Sequence, residues 1–327
     1  QGVKADFALG LHPAGLFAKV IDLAECHLVF AEGEGILASA RELAIEHGLD
    51  AWDVYEHKGF LRHLVVRSGF KTGEVMVNLV TFAEDAERFD PYATALLGRH
   101  PEITTLIQTI HSGLASVAYG ERERVLHGPG FIEEELLGTR FRISARSFFQ
   151  VNPPQAERLF SIIREEVGER KGEVLYDLYS GAGSISLLLA PVMKEVLAFE
   201  QVPEAVADAR GNAERNGVQN VRFFEGDVLR ELDKTLAEDS LLPRPDVCVV
   251  DPPRAGLHPS VPAKLLQLAA RRLVYVSCNI HNGAQDIAQL VAGGYRVLRV
   301  RPVDMFPHTP HVECVVTLEA GPSLLKS

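Results

Sequence analysis

The 327-residue sequence predicts a doubly wound α/β sheet that ends in a β-hairpin, preceded by a smaller α+β domain. Three observations predict it. From about residue 174 onward, short β-rich apolar runs alternate with amphipathic helical segments, the rhythm of a parallel sheet covered by helices on both faces. The last two strand-like runs, 295–303 and 311–318, have no helix between them and so return on one another as a hairpin. The upstream part lacks that rhythm, which sets the expected domains at 1–140 and 141–327.

In chain order, runs at 64–66 and 75–80 flank Lys71-Thr72-Gly73-Glu74, a glycine-containing connection that reads as a hairpin. Alternation in Arg140-Phe141-Arg142-Ile143 reads as a strand near the domain link. Asn152 then caps a helix with Pro153 at its first position, where the missing proline N–H costs nothing. Buried parallel strands are expected at 174–178, 196–199, 221–224, 247–250 and 273–276. Helices join them, including 203–216, stopped by Asn216-Gly217, and 261–271.

The composition, 46% hydrophobic and 24% charged, excludes disorder and fibres. A net charge of −11 argues against coating a polyanion through bulk charge, although a local basic groove is compatible with it. No apolar run reaches about 18 residues and the first residues lack a secretion-signal pattern, so a cytoplasmic protein without membrane contact is expected. Gln at position 1 leads to the expectation of a trimmed start. Cys26, Cys248, Cys278 and Cys314 form no C-x-x-C pair, so no metal site or disulfide framework is expected.

The candidate chemistry lies at strand ends. Asp177-Leu178-Tyr179-Ser180-Gly181-Ala182-Gly183-Ser184 follows a strand and opens a helix, and its glycines permit a tight turn with close backbone approach to a ligand. Glu200 ends the next strand about 20 residues on, where an acid accepts from both hydroxyls of a ribose. Together they favour an adenosine-containing cofactor, and the loop lacks the lysine of a phosphate-binding P-loop. Asp227 suits either an adenine amino group or the N-cap of the helix after it. Asp251-Pro252-Pro253-Arg254 ends the fourth strand with a fixed backbone and two charged side chains. Cys278, in Ser277-Cys278-Asn279, shares that edge, and a thiol is a suitable nucleophile for an electron-poor C=C bond. Cys248, inside its strand, reads as packing. Glu313, in His311-Val312-Glu313, is either a solvated strand start or a general base near Cys278.

Taken together, Phe149-Gln150-Val151-Asn152, the 177–183 loop, Asp251-Pro252-Pro253-Arg254-Ala255-Gly256-Leu257, Ser277-Cys278-Asn279 and His311-Val312-Glu313 resemble the RNA uracil-5-methyltransferase family. The stretches Leu61-Arg62-His63-Leu64 and 72–77 are similar to that family's central, RNA-contacting domain. The resemblance implies a class I S-adenosylmethionine (SAM) methyltransferase fold, Rossmann-like with a terminal hairpin. It implies SAM contacts from Gln150, Tyr179, Gly181, Ser184, Glu200, Asp227 and Asp251, a nucleophile at Cys278 and a base at Glu313; charge building on the uracil oxygen needs a donor, for which Arg254 or Asn279 is the expected substrate contact. The sequence departs from the family in having Ser184 in place of Asn and Ile280 in place of Pro. Cys26 resembles the last of four iron-sulfur ligands in many relatives. Its three partners are missing from this sequence, so no cluster is expected in the chain as given.

The expected reaction is C5 methylation of a uridine by a monomer, in ribosomal or transfer RNA. Ribosomal RNA is favoured because Arg254-Ala255-Gly256-Leu257 and Cys26 resemble that branch. RNA contact is assigned to two clusters, Lys58, Arg62, His63, Arg67 and Lys71 with Phe60 and Phe70, and Arg140, Arg142 and Arg146. The competing readings are a cytosine-5 or amino-group methyltransferase, a SAM-binding RNA chaperone without catalysis, and a nicotinamide dehydrogenase.

Overall fold

The structure, a computed structural model, describes residues 7–326 other than 14 and 17; residues 1–4, read above for a signal, lie outside them. The chain divides into two compact units, residues 1–134 with 143–146, and residues 135–142 with 147–327. No helix among the described residues is long and apolar enough to cross a membrane.

The first unit opens with a two-residue antiparallel pair, β1 (Gly10–Leu11) and β2 (Ile21–Asp22), followed by helix α1 (Ala31–Glu46). Its sheet runs β3-β4-β5-β6, with β3 (Leu61–Ser68), β4 (Val75–Thr81), β5 (Ile103–Ile110) and β6 (Arg122–His127). The expected hairpin is β3 against β4, antiparallel. One feature was missed in the sequence: β4 and β5 are parallel and joined through α2 (Ala86–Arg99), a βαβ unit. Its helix is masked by Pro91 and by a polar outer face, so only Phe89, Tyr92, Ala93 and Leu96 mark the buried stripe.

A hairpin of β7 (Phe131–Leu136) and β8 (Thr139–Ser144) carries the division between the units. The second unit then builds α3 (Pro153–Val167), capped by Asn152, whose side-chain oxygen accepts from Gln155 N–H. Its seven strands are β9 (Arg170–Leu178), β10 (Met193–Glu200), β11 (Val221–Glu225), β12 (Val247–Val250), β13 (Arg272–Ser277), β14 (Tyr295–Val303) and β15 (Glu313–Ala320). They are ordered β11-β10-β9-β12-β13-β15-β14, and only β15 runs against its neighbours. Helices α4 (Ser184–Leu189), α5 (Pro203–Arg215), α6 (Val228–Leu236), α7 (Val261–Leu268) and α8 (Ile280–Ala292) make the connections.

All five expected parallel strands are present. The helix expected at 261–271 ends at Leu268 instead, because Ala269 turns left-handed at φ +51° and the chain needs those residues to reverse into β13. The strand order changes direction between β9 and β12, so the carboxyl ends of these strands border the crevice where open α/β sheets bind ligands.

Candidate active site

Side chains alternate between the faces of a strand. Leu175, Val249, Val276 and Val315 all pack into the core formed with α3 and α4. Asp177, Asp251, Cys278 and Glu313 each lie two residues away along the same strand or its extension, so all four share that face at the sheet's edge. Register completes the placement. Ser277 with Cys314 is the last pair of the antiparallel β13–β15 ladder, and Cys278 and Glu313 flank its end, near enough for the Glu313 charge to act on the thiol.

These four groups are close enough to shift one another's ionisation. Burial, followed by the charges of Glu313 and Asp251, pushes the Cys278 thiol up. Burial raises the carboxyl of Glu313, which is only 4% exposed. Asp251 is pushed up to about 8 by burial and then by Glu313 and Asp177. Asp177, fully buried, is pushed up to about 7 by burial and then by Glu200, against a lowering 2.5 Å hydrogen bond from Ser186 Oγ to its Oδ2. Carboxyls crowded and desolvated this way disfavour their own charge, and a cation placed among them would restore it.

The glycine loop is shaped as its sequence requires. Tyr179, Gly181 and Gly183 have φ of +67°, +54° and +83°, and a Cβ on Gly183 would meet the Ala209 Cβ at 3.1 Å. Ser184 is partly buried and begins α4. The Glu200 carboxylate accepts from Gly181 N–H at 2.9 Å and from Val202 N–H at 2.8 Å, so it holds the loop's shape as well as offering its remaining lone pairs to a ligand. Tyr179 lies near Asp227, whose charge adds to burial in raising the phenol to about 12. Asp227 is exposed and caps α6 through Arg230 N–H at 3.2 Å. Gln150 is partly buried in the segment leading to α3.

On the other side of Cys278, Arg254 Nη2 sits 3.2 Å from the His311 ring nitrogen Nδ1. Asn279 is engaged locally: its Oδ1 caps α8 and its Nδ2 donates to the Arg254 carbonyl at 3.2 Å. Two residues went unassigned in the sequence. Asp177 opens the glycine loop at a strand end, a signal that was available. His311 was read only as part of a motif, because nothing in the sequence pairs it with Arg254.

The residues fit a SAM molecule on one independent observation. Asp177 Oδ1 and Ser180 Oγ are buried side-chain oxygens without a hydrogen-bond partner, beside the loop and among raised carboxyls. A ligand carrying a sulfonium, an ammonium and ribose hydroxyls would neutralise the acids and engage the edge, whereas a phosphate-bearing ligand would be repelled.

The expected basic clusters take a different form. Phe60 is buried, and the Arg62 guanidinium donates to the carbonyls of His111, Gly113 and Ala115 at 2.7, 2.5 and 2.8 Å while lying 4.4 Å from the Trp52 ring centroid. His63 is partly buried and pushed down to about 4, chiefly by burial and then by Arg62. Arg62 and His63 are therefore a structural pair in the first unit and not a cationic stripe. Arg146 bonds Glu123 at 2.9 Å and the Gly120 carbonyl at 2.8 Å, while Arg140 and Arg142 are exposed on β8.

A sequence profile of the tRNA (uracil-5-)-methyltransferase family matches residues 104–321. A protein of Porphyromonas gingivalis described as an uncharacterized RNA methyltransferase is 41% identical, over 97% of this chain and 70% of that relative. One with the same description from Caldanaerobacter subterraneus is 37% identical, over 95% of this chain and 68% of that protein. Among solved structures, the Pyrococcus abyssi tRNA (uracil-54, C5)-methyltransferase in complex with S-adenosyl-L-homocysteine superposes with a TM-score of 0.74 and 32% identity, covering 92% of this chain and 71% of that one.

Proposed function

This chain belongs to the tRNA (uracil-5-)-methyltransferase family and is a SAM-dependent RNA (uracil-C5)-methyltransferase; from that premise we propose that it works through a covalent bond between Cys278 and C6 of the target uracil. The observation that carries the proposal is that Cys278 follows the end of β13 beside the start of β15, near enough to Glu313 and Asp251 for their charges to act on its thiol. SAM, when bound, supplies an electrophilic methyl group. The residues that would hold it are Gly181, Ser184, Tyr179 and Glu200 around the loop, with Asp227, Asp251 and Gln150 beside them.

C5 of uracil is too weak a nucleophile to take that methyl group unaided. The Cys278 thiol gives its proton to solvent and its sulfur adds to C6, which breaks the conjugation of the ring and leaves an electron pair shared between C5 and the C4 oxygen. Arg254 is the donor for the charge on the uracil oxygen, held near Cys278 through His311; Asn279 supports it by fixing the backbone of Arg254. C5 gains the methyl group and still carries its proton. Glu313 removes that proton, the C5–C6 double bond re-forms, and the Cys278 thiolate leaves. Burial raises the carboxyl of Glu313, which makes it a better proton acceptor than an ordinary carboxylate.

A uridine stacked in a helix cannot reach this edge, so the target lies in a loop or is extruded at a cost of a few kcal/mol. The Arg254-Ala255-Gly256-Leu257 and Cys26 signatures support a ribosomal target, and the similarity to a transfer-RNA uracil-54 enzyme supports a T-loop target. Mapping 5-methyluridine in both RNA pools of a deletion strain decides between them.

The test of the mechanism is Glu313→Gln. Cys278 attack and methylation should proceed while elimination stalls, so enzyme and RNA remain joined through denaturing electrophoresis. Adding Cys278→Ala must abolish that band. Normal turnover by the single variant, or inactivity without an adduct, assigns Glu313 to a structural or RNA-contacting role.

A further inference from the structure

The loop that presents Arg254 is gripped by one face of α8. Asn279, Asn282 and Asp286 follow one another at spacings of three and four, which aligns them along a helix. Asn282 Nδ2 donates to the Arg254 carbonyl at 3.0 Å, beside the 3.2 Å bond from Asn279. A turn further on, Asp286 Oδ2 accepts from Leu257 N–H at 2.9 Å and from the Tyr275 hydroxyl at 2.6 Å. Between these anchors Gly256 turns left-handed at φ +85° and donates to the Pro253 carbonyl at 2.8 Å. A Cβ there would lie 2.9 Å from Asp286 Oδ2 and 3.3 Å from Asn282 Cβ, so the loop backbone is pressed onto the helix with no room for a side chain.

We infer that Asn282 is a positioning residue for the methylation, acting through Arg254. Its amide fixes the backbone of Arg254, and His311 meets the guanidinium 3.2 Å away, two residues before Glu313. Arg254 is thereby held at its backbone and at its guanidinium, beside Cys278 and Glu313, where an error of an ångström would cost the reaction heavily. This rests on the reading of Arg254 as the donor to the uracil oxygen.

Asn282→Asp separates positioning from folding. It is the third residue of α8, where an acid favours the helix dipole, yet a carboxylate cannot donate to the Arg254 carbonyl. The expected result is a loss of about 10-fold in kcat/KM for RNA, the worth of one such bond, expressed mainly in kcat. SAM affinity measured by calorimetry should stay within about 2-fold, and the melting temperature should fall by no more than a few degrees, the helix-dipole gain offsetting part of the lost bond and of the repulsion from Asp286. In an Arg254→Ala background the same substitution should add no further loss, since both act at one point. Unchanged kcat/KM in Asn282→Asp, a fully additive loss in the double variant, or a loss that tracks a fall in melting temperature overturns the inference while leaving the role of Arg254 intact. If Arg254→Ala alone leaves the RNA kinetics unchanged, the reading of Arg254 fails and the inference fails with it.

Discussion

The two units hold their ionisable residues in opposite ways. In the second unit, acids and a thiol gather at the open edge of a parallel sheet, where Asp177 Oδ1 and Ser180 Oγ are buried without a partner and Asp251 is raised by burial and then by its acidic neighbours. In the first unit, the two terminal nitrogens of Arg62 donate to three backbone carbonyls beside a tryptophan face, leaving its Nε buried without a partner, and His63 is held neutral. Charge left unsatisfied at a strand end marks a place for a ligand. Charge satisfied by backbone marks architecture, even where the sequence shows a row of cations.

The largest effect that sharpens this contrast is at the thiol. Cys278→Ala should reduce methyl transfer by more than about 100-fold, because nothing else at the edge can activate C5, while SAM affinity stays nearly intact. Turnover above about a hundredth of wild type would remove the nucleophile from Cys278. Next, Glu200→Ala should weaken SAM binding by roughly 1–3 kcal/mol, read by calorimetry. The loss combines ribose contacts with release of the loop that Glu200 holds through Gly181 and Val202. Unchanged affinity would place the ligand elsewhere.

In the first unit the contrast predicts a structural loss. Arg62→Ala should destabilise that unit by about 2–4 kcal/mol, because three carbonyls lose a charged donor. Trp52 is the only tryptophan in the chain and lies against Arg62, so its fluorescence reports on this unit. At temperatures where the variant is folded, RNA affinity should change by less than about 2-fold. A large loss of RNA affinity without a shift in the fluorescence melt would restore Arg62 to an RNA-binding surface.

How much of this was legible follows from what each signal depends on. The edge was readable because a strand's end is a local property: the apolar run stops, and Gly181, Glu200, Asp251 and Cys278 stand where it stops. That the Cys278 face is also the Asp177 face follows from strand alternation, once the strands are fixed. That Cys278 lies near Glu313 was not readable, since β15 enters the sheet between β13 and β14 and its register is a tertiary fact. Asn282 and His311 were hidden for the same reason; their partner Arg254 is 28 and 57 residues away. Within the first basic cluster, Arg62 departs from the expectation because the loop after β5, with the carbonyls of Gly113 and Ala115, takes its guanidinium, while Lys58, Phe70 and Lys71 are exposed.

The two units should also differ in sign, as opposite responses to pH. Asp177 and Asp251 are pushed up to about 7 and about 8, against about 3.9 in an unfolded chain. Between those limits the folded second unit keeps protons that the unfolded chain has released, so its stability falls as pH rises from about 4 to about 8. His63 is pushed down to about 4, against about 6.5 when unfolded. There the unfolded chain holds the extra proton, so the first unit gains stability as pH rises from about 4 to about 6.5. Hydrogen exchange of the peptides from β4 and β5, compared with those from β9 and β12 and corrected for the intrinsic pH dependence of exchange, should therefore show slopes of opposite sign. Asp251→Asn should flatten the second unit's slope, stabilising it near pH 8 and changing little near pH 4. Saturating SAM should flatten it as well, because a bound cation lets the edge acids ionise without penalty. A second unit that instead gains stability toward pH 8 would mean that its acids are already ionised and paired, and the cationic ligand would lose its place among them.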